Sequence, residues 1–146
     1  MLCITDEGEG QSVKTEAGIR RVPIHSELIR LGFLDYVRKT KESGHAQLWP
    51  GLALRETKPG SYFSAWFGRF RKTLDPVPPD FHSLRHTVRT SLRVAGVDKS
   101  LRDNIIGHEP GGEGARYEHA TDAELKAAIE RLSYPALNLQ RVYQPR

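Results

Sequence analysis

The first part of the chain consists of short extended stretches separated by turns. Residues 2–5 are typical of a short strand, and residues 11–24 are expected to be extended apart from a turn at residues 16–18. Pro23 favours an edge or terminal position, because proline cannot donate a hydrogen bond to a strand ladder. The pattern predicts a small antiparallel β-hairpin sheet with Lys14 near its turn.

After residue 24 the apolar residues recur at helical spacing, and five helices are expected. Strands followed by helices favour the α+β class, with a small N-terminal β-hairpin sheet packed on a mainly helical bundle. The length of 146 residues fits a single domain over residues 1–146. The predicted helices cover residues 27–42, 61–74, 82–95, 99–106 and 122–131. Ser26 is the expected N-cap of the first helix, which has Leu28, Leu31, Leu34 and Val37 on one face, and Asp98 is the expected N-cap of the fourth. The aromatic residues of the second helix are expected to be core.

The helix predicted at residues 82–95 has two chemically different sides at 100° per residue. One side is apolar or small, and carries Leu84, Val88, Ser91, Leu92 and Ala95. The other side is cationic, and carries His82, Arg85, His86, Arg89 and Arg93. With Arg69, Arg71 and Lys72 on the preceding helix, this side predicts a DNA-binding surface, and an ordinary solvated face is the alternative.

Composition narrows the class of protein. The formal net charge of +4 is compatible with a polyanionic partner. Cys3 is the only cysteine, which excludes an intrachain disulfide and favours a reducing, cytoplasmic setting. The chain has no apolar run near the roughly 18 residues that a membrane span needs.

Five residues that could take part in catalysis occur in a characteristic order along the chain. His82-Ser-Leu-Arg85 is followed by Gly107-His108, and Tyr117 stands nine residues after His108 behind a glycine-rich loop. Lys14 precedes them in the hairpin. This combination resembles the tyrosine recombinase family, also known as the phage integrase family, over residues 2–140.

The resemblance implies site-specific recombination of double-stranded DNA in a phage or other mobile element, with self-association of the enzyme on DNA and no cofactor or metal. Tyr117 would attack the phosphate and form a 3′-phosphotyrosyl link, and Arg85 and His108 would stabilise the pentacoordinate phosphorus. His82 would assist proton transfer at the tyrosine, and Lys14 would protonate the leaving 5′-oxygen.

The chemistry of the residues agrees with these roles. Strand cleavage needs a nucleophile, cations around the developing charge, and an acid for the leaving oxygen. A free tyrosine has a pKa of about 10, so ionising it at neutral pH costs roughly 4 kcal/mol, which nearby cations and a base can offset. Arginine can hold two phosphate oxygens in one fork, whereas lysine cannot.

The chain departs from the family at one point. The family has another catalytic arginine, in an Ala-Arg-x-x-Glu-like segment upstream of the lysine hairpin, and Arg55-Glu56 follows Lys14 instead. We therefore expect the C-terminal part of an integrase catalytic domain, without the core-binding domain and inactive by itself.

Other interpretations remain open from the sequence. The chain could be an inactive integrase remnant, or a DNA-binding module without enzymatic activity, in which residues 90–107 form a helix-turn-helix. Tyr117 could be a core tyrosine and Lys14 a solvated lysine. His82 and His86 suggest zinc only weakly, since Ser83 stands where a metalloprotease helix has glutamate.

Overall fold

A computed structural model of the chain describes residues 1–8, 11–52, 60–108 and 120–139. These residues form an α+β structure with one two-stranded antiparallel sheet and mostly helices, as the sequence predicts for the class. The elements are β1 (Leu2–Ile4), a 3₁₀ turn (Glu16–Gly18), β2 (Arg20–Val22), α1 (Ser26–Arg30), α2 (Phe33–Glu42), α3 (Ser61–Arg71), α4 (Ser83–Val94), α5 (Lys99–Ile106) and α6 (Asp122–Ile129).

The chain divides into two compact units. Unit 1 comprises Met1–Leu31 and Val88–Arg146, and unit 2 comprises Gly32–Thr87. Helix α4 begins in unit 2 and ends in unit 1. Whether the chain forms a single domain stays a prediction.

The two adjacent arginines of β2, Arg20 and Arg21, lie on opposite faces of the sheet of unit 1. Ile4 pairs with Arg20, and Cys3 pairs with Arg21. Since side chains alternate along a strand, Arg20 lies on the same face as Val22, and Arg21 lies on the other. Val22 packs against the core, so the face that carries Arg20 is the inner one.

The core of unit 1 is formed by α4, α5 and α6. Leu92 of α4 is fully buried, as its place on the apolar side of that helix predicts. Asp98 caps α5 by accepting a hydrogen bond from the Ser100 backbone N–H, and Thr121 begins α6 with a capping box. The buried residues of this core cluster are Leu92, Val97, Ile105, Ile106, Leu125, Ala128 and Ile129.

The helix predicted at residues 27–42 is two helices, α1 and α2. Gly32 separates them in a left-handed conformation with φ of 85°, which glycine adopts without steric cost. The N-cap of α1 is His25, whose Nδ1 accepts from the Glu27 backbone N–H at 3.0 Å, so the prediction of Ser26 as N-cap is wrong. The Ser26 hydroxyl instead donates to the Glu130 carboxylate at 2.6 Å.

In unit 2 the aromatic residues of α3 form two rows. Phe63 and Phe67 are half-buried, and their rings meet the ring of Phe81 edge-on, with distances of 5.2 and 5.3 Å between ring centroids. Trp66 and Phe70 belong to the other row, stack on each other, and are 44% and 43% exposed. The prediction that all aromatic residues of this helix are core is therefore wrong for the second row, and it is also wrong for Tyr62, which is 49% exposed.

Candidate functional site

His82 and Arg85 lie at the N-terminal end of α4, in unit 2. The Asp80 carboxylate accepts from the Ser83 backbone N–H at 3.0 Å, which fixes the turn that carries His82 into the helix. His82 is exposed, and its ring meets the ring of His86 edge-on at 5.4 Å. Arg85 follows one turn later and is half-buried.

The C-terminal half of α4 belongs to unit 1 and carries the predicted DNA-binding residues Arg89 and Arg93. Arg93 is exposed. Arg89 is half-buried, and its Nη2 lies 3.8 Å from Oδ1 of Asp103, which is too long for a hydrogen bond. Arg89 therefore faces the carboxylate of Asp103, which belongs to α5.

Asp103 is a buried acidic residue that the sequence analysis did not single out. Its side chain is 7% exposed, and Oδ2 accepts from Lys99 Nζ at 2.6 Å. Oδ1 is buried and makes no hydrogen bond to any described residue. The available sequence signal was the spacing of four between Lys99 and Asp103, which indicates an ion pair but not its burial.

Along the sequence, Lys14 lies between β1 and β2, and it belongs to unit 1. It is exposed and lies two residues before the 3₁₀ turn, in which the Gly18 backbone N–H donates to the Thr15 carbonyl at 2.8 Å. The strands β1 and β2 pair with each other, and residues 11–15 stand outside their ladder. Lys14 is thus near a turn, as predicted, but is not on an extended hairpin strand.

His108 follows the C-terminus of α5, also in unit 1. Gly107 ends the helix in a left-handed conformation with φ of 65°, and the His108 backbone N–H donates to the Asp103 carbonyl at 2.9 Å. A Cβ atom on Gly107 would lie 2.8 Å from Nη1 of Arg20 and 3.0 Å from the Ala17 carbonyl oxygen. The turn that follows Lys14 therefore packs directly on the glycine that precedes His108.

Arg20 connects these two segments. Its Nη1 donates to the Gly18 carbonyl at 2.8 Å, and its Nε donates to the Ile105 carbonyl at 3.2 Å. The sequence analysis missed this residue. The signal that could have found it is strand alternation, because Arg20 stands two residues before the inward Val22.

A second polar cluster in unit 1 joins α6 to the start of α1. The Glu130 carboxylate accepts hydrogen bonds from Lys126 and from the Ser26 hydroxyl and backbone N–H. These bonds, with Lys126 the largest contributor, lower the pKa of Glu130 from 4.5 to about 2. Lys126 also donates to the Ile24 carbonyl at 2.7 Å.

The structure brings some of the predicted site residues into the same unit. Lys14 and His108 lie in unit 1, whereas His82 and Arg85 lie in unit 2. The predicted nucleophile, Tyr117, lies outside the described residues.

The other predicted DNA-binding residues lie at the C-terminal end of α3, in unit 2. Arg69 and Lys72 are exposed. Arg71 is half-buried and donates to the Pro78 carbonyl at 2.9 Å, which places its guanidinium on the connector that leads to α4.

Two further properties concern only the described part of the chain. Its histidine, cysteine and acidic residues do not form a group of three that could hold a metal ion. None of its helices has both the length and the apolar character needed to cross a membrane.

Comparisons with protein-family models, with curated proteins and with solved structures found no significant match.

Proposed function

We propose that the chain belongs to a tyrosine site-specific DNA recombinase, which cleaves and religates DNA strands through a 3′-phosphotyrosyl intermediate. The observation that carries this proposal is the ordered spacing of His82-x-x-Arg85, Gly107-His108 and Tyr117. Supporting it, His82 and Arg85 are one turn apart at the start of α4, and His108 directly follows the C-cap of α5.

The proposed reaction has one bond-making and one bond-breaking event at phosphorus. The Tyr117 oxygen attacks the scissile phosphate, His82 assists removal of its proton, and the bond between phosphorus and the 5′-oxygen breaks. Lys14 donates a proton to that oxygen, and Arg85 and His108 stabilise the charge on the non-bridging oxygens. Religation is the reverse reaction, so the energy of the phosphodiester bond is retained.

The exposure of Lys14 is consistent with the role of a general acid. Lys14 is exposed, and lysine provides a mobile point charge with transferable protons. Arg85, in contrast, is half-buried on a helix, which suits a side chain that must hold a phosphate in a fixed geometry.

The rival function, groove recognition by a helix-turn-helix of α4 and α5, is less well supported. The second helix offers Lys99 and Arg102 as cations. Lys99 is bound to Asp103, and Nε of Arg102 is buried. A helix that reads DNA bases needs exposed donors that are free to reach the base edges.

The proposal is tested by the leaving group of the cleavage reaction. The protein, expressed from its complete reading frame, is incubated with a pool of nicked duplexes randomised around the nick, and covalent adducts are isolated. Lys14→Ala should slow adduct formation on 5′-oxygen substrates, and a 5′-phosphorothiolate should restore it, because a thiolate leaves without a proton. The matched control is Lys39→Ala, another exposed lysine, which should react like the wild type.

Two outcomes would contradict the proposal. The absence of any adduct with the wild-type protein on both substrates would contradict the function. Equal slowing of Lys14→Ala on both leaving groups would contradict the role of Lys14 as acid.

A further inference from the structure

We infer that Arg20 is a positioning residue of this site, which holds the turn carrying Lys14 against the segment carrying His108. Its significance for catalysis rests on the proposed function, whereas the contact itself is a property of unit 1. The contact, named the Arg20 bridge, consists of the hydrogen bonds from Arg20 to Gly18 and to Ile105.

The Arg20 bridge joins segments that are far apart in the sequence. Arg20 and Ile105 are separated by 85 positions. The Ile105 carbonyl belongs to the last turn of α5, where carbonyl groups lack partners within the helix. The C-terminal end of a helix also favours a cation, so a guanidinium is well matched to this position.

On one side the bridge determines the position of Lys14. The Gly18 carbonyl accepts from Arg20, and the Gly18 backbone N–H donates to the Thr15 carbonyl at 2.8 Å. A Cβ atom on Gly18 would lie 2.9 Å from Cβ of Val13, so Val13 packs closely on the same glycine. Both neighbours of Lys14 in the sequence therefore contact the residue that Arg20 holds.

On the other side the bridge determines the position of His108. The guanidinium donates to the Ile105 carbonyl, and a Cβ atom on Gly107 would come within 2.8 Å of its Nη1. His108 is the next residue, and its backbone N–H is bound to the Asp103 carbonyl. One planar group with donors in two directions thus links the proposed acid to the proposed phosphate ligand, and lysine cannot replace it.

The first test uses amide hydrogen exchange in the DNA-free, full-length protein. Arg20→Lys should accelerate exchange of the Gly18 and His108 amides by about tenfold, the change expected from loss of one hydrogen bond. The Leu125 amide, at the start of α6, reports general destabilisation and should keep its rate. Arg21→Lys is the matched control, since Arg21 is adjacent and exposed, and should leave all three rates within about twofold.

The second test uses adduct formation on the two leaving groups. Arg20→Lys should slow cleavage of the 5′-oxygen substrate by about 10²-fold, as a small displacement of a catalytic group does. It should slow cleavage of the 5′-phosphorothiolate less, because displacement of His108 affects both reactions and displacement of Lys14 affects only the first. Arg21→Lys should cleave both like the wild type. Should Arg20→Lys not fold, Arg20→Gln, which retains an amide donor, takes its place in both tests.

The outcomes separate the inference from the proposed function. Unchanged exchange at Gly18 and His108, or equal exchange changes in both variants, would overturn the Arg20 bridge. Equal slowing of Arg20→Lys on both leaving groups would overturn its action through Lys14. If the wild-type protein forms no adduct, the proposed function fails, and the exchange experiment still decides whether the bridge exists.

Discussion

Two ion pairs of unit 1 have nearly the same length and differ in the burial of the carboxylate. Lys99 lies 2.6 Å from Asp103, whose side chain is 7% exposed. Arg21 lies 2.7 Å from Asp122, whose side chain is 49% exposed. We expect Lys99→Ala to destabilise the protein more than Arg21→Ala, although both variants remove a mostly exposed cation.

The magnitude of the difference follows from what each variant leaves behind. Without Lys99, Arg89 at 3.8 Å is the ion-pair partner that the Asp103 carboxylate keeps among the described residues, and Oδ1 already makes no hydrogen bond to any of them. A buried acceptor without a partner costs about 1–3 kcal/mol, and more when it is charged. An exposed pair is worth about 0–1 kcal/mol, because water replaces the lost partner.

Urea denaturation followed by far-ultraviolet circular dichroism measures both free energies of unfolding. Repeating it at high salt adds a second criterion, since the Debye length falls from about 10 Å at 0.1 M to about 3 Å at 1 M ionic strength. The cost of Arg21→Ala should then vanish, and the cost of Lys99→Ala should persist. Equal costs at low salt, or loss of both costs at high salt, would refute the conclusion that Asp103 is shielded from water.

Two further predictions follow from the charges. The pKa of Glu130 is about 2 in the folded chain, below its ordinary value of 4.5, so the associated stability is complete above pH 4.5 and is lost as the pH falls toward 2. Glu130→Gln should therefore reduce the fall of Tm over this range, and an unchanged fall would contradict it. In fluorescence anisotropy with duplex DNA, Arg93→Ala should reduce the salt slope of binding by about one. Arg38→Ala, an exposed control on α2 paired with Asp35, should leave the slope unchanged.

Local signals predicted the last two helices of unit 1. The helices α5 and α6 begin near the expected positions, because Asp98 provides an N-cap and Thr121 a capping box. The two sides of α4 were predictable where the helix meets the core, as buried Leu92 shows. Leu84, in unit 2, is 50% exposed, which periodicity alone could not indicate.

Some features of the structure were not revealed by the sequence, because they depend on the backbone conformation of one residue or on contacts between distant residues. The spacing of leucines continues through Gly32, so periodicity predicted one helix where the backbone turns. Strand alternation and the spacing from Lys99 were the only local signals for Arg20 and Asp103, and neither signal shows the partners on other elements or the burial that make these residues important. The set Lys14, His82, Arg85, His108 and Tyr117 was recognised only by resemblance in order and spacing, and its catalytic roles stay a prediction.

The most direct test of the proposed recombinase chemistry is the identity of the residue that becomes linked to DNA. The protein from its complete reading frame is trapped on the randomised nicked duplexes, digested, and the DNA-linked peptide is identified by mass. We predict a link to Tyr117, and loss of the adduct in Tyr117→Phe with unchanged Tm and DNA binding, since only a hydroxyl is removed. An adduct that persists in Tyr117→Phe and maps to Tyr134 or Tyr143, or no adduct at all, would contradict the account.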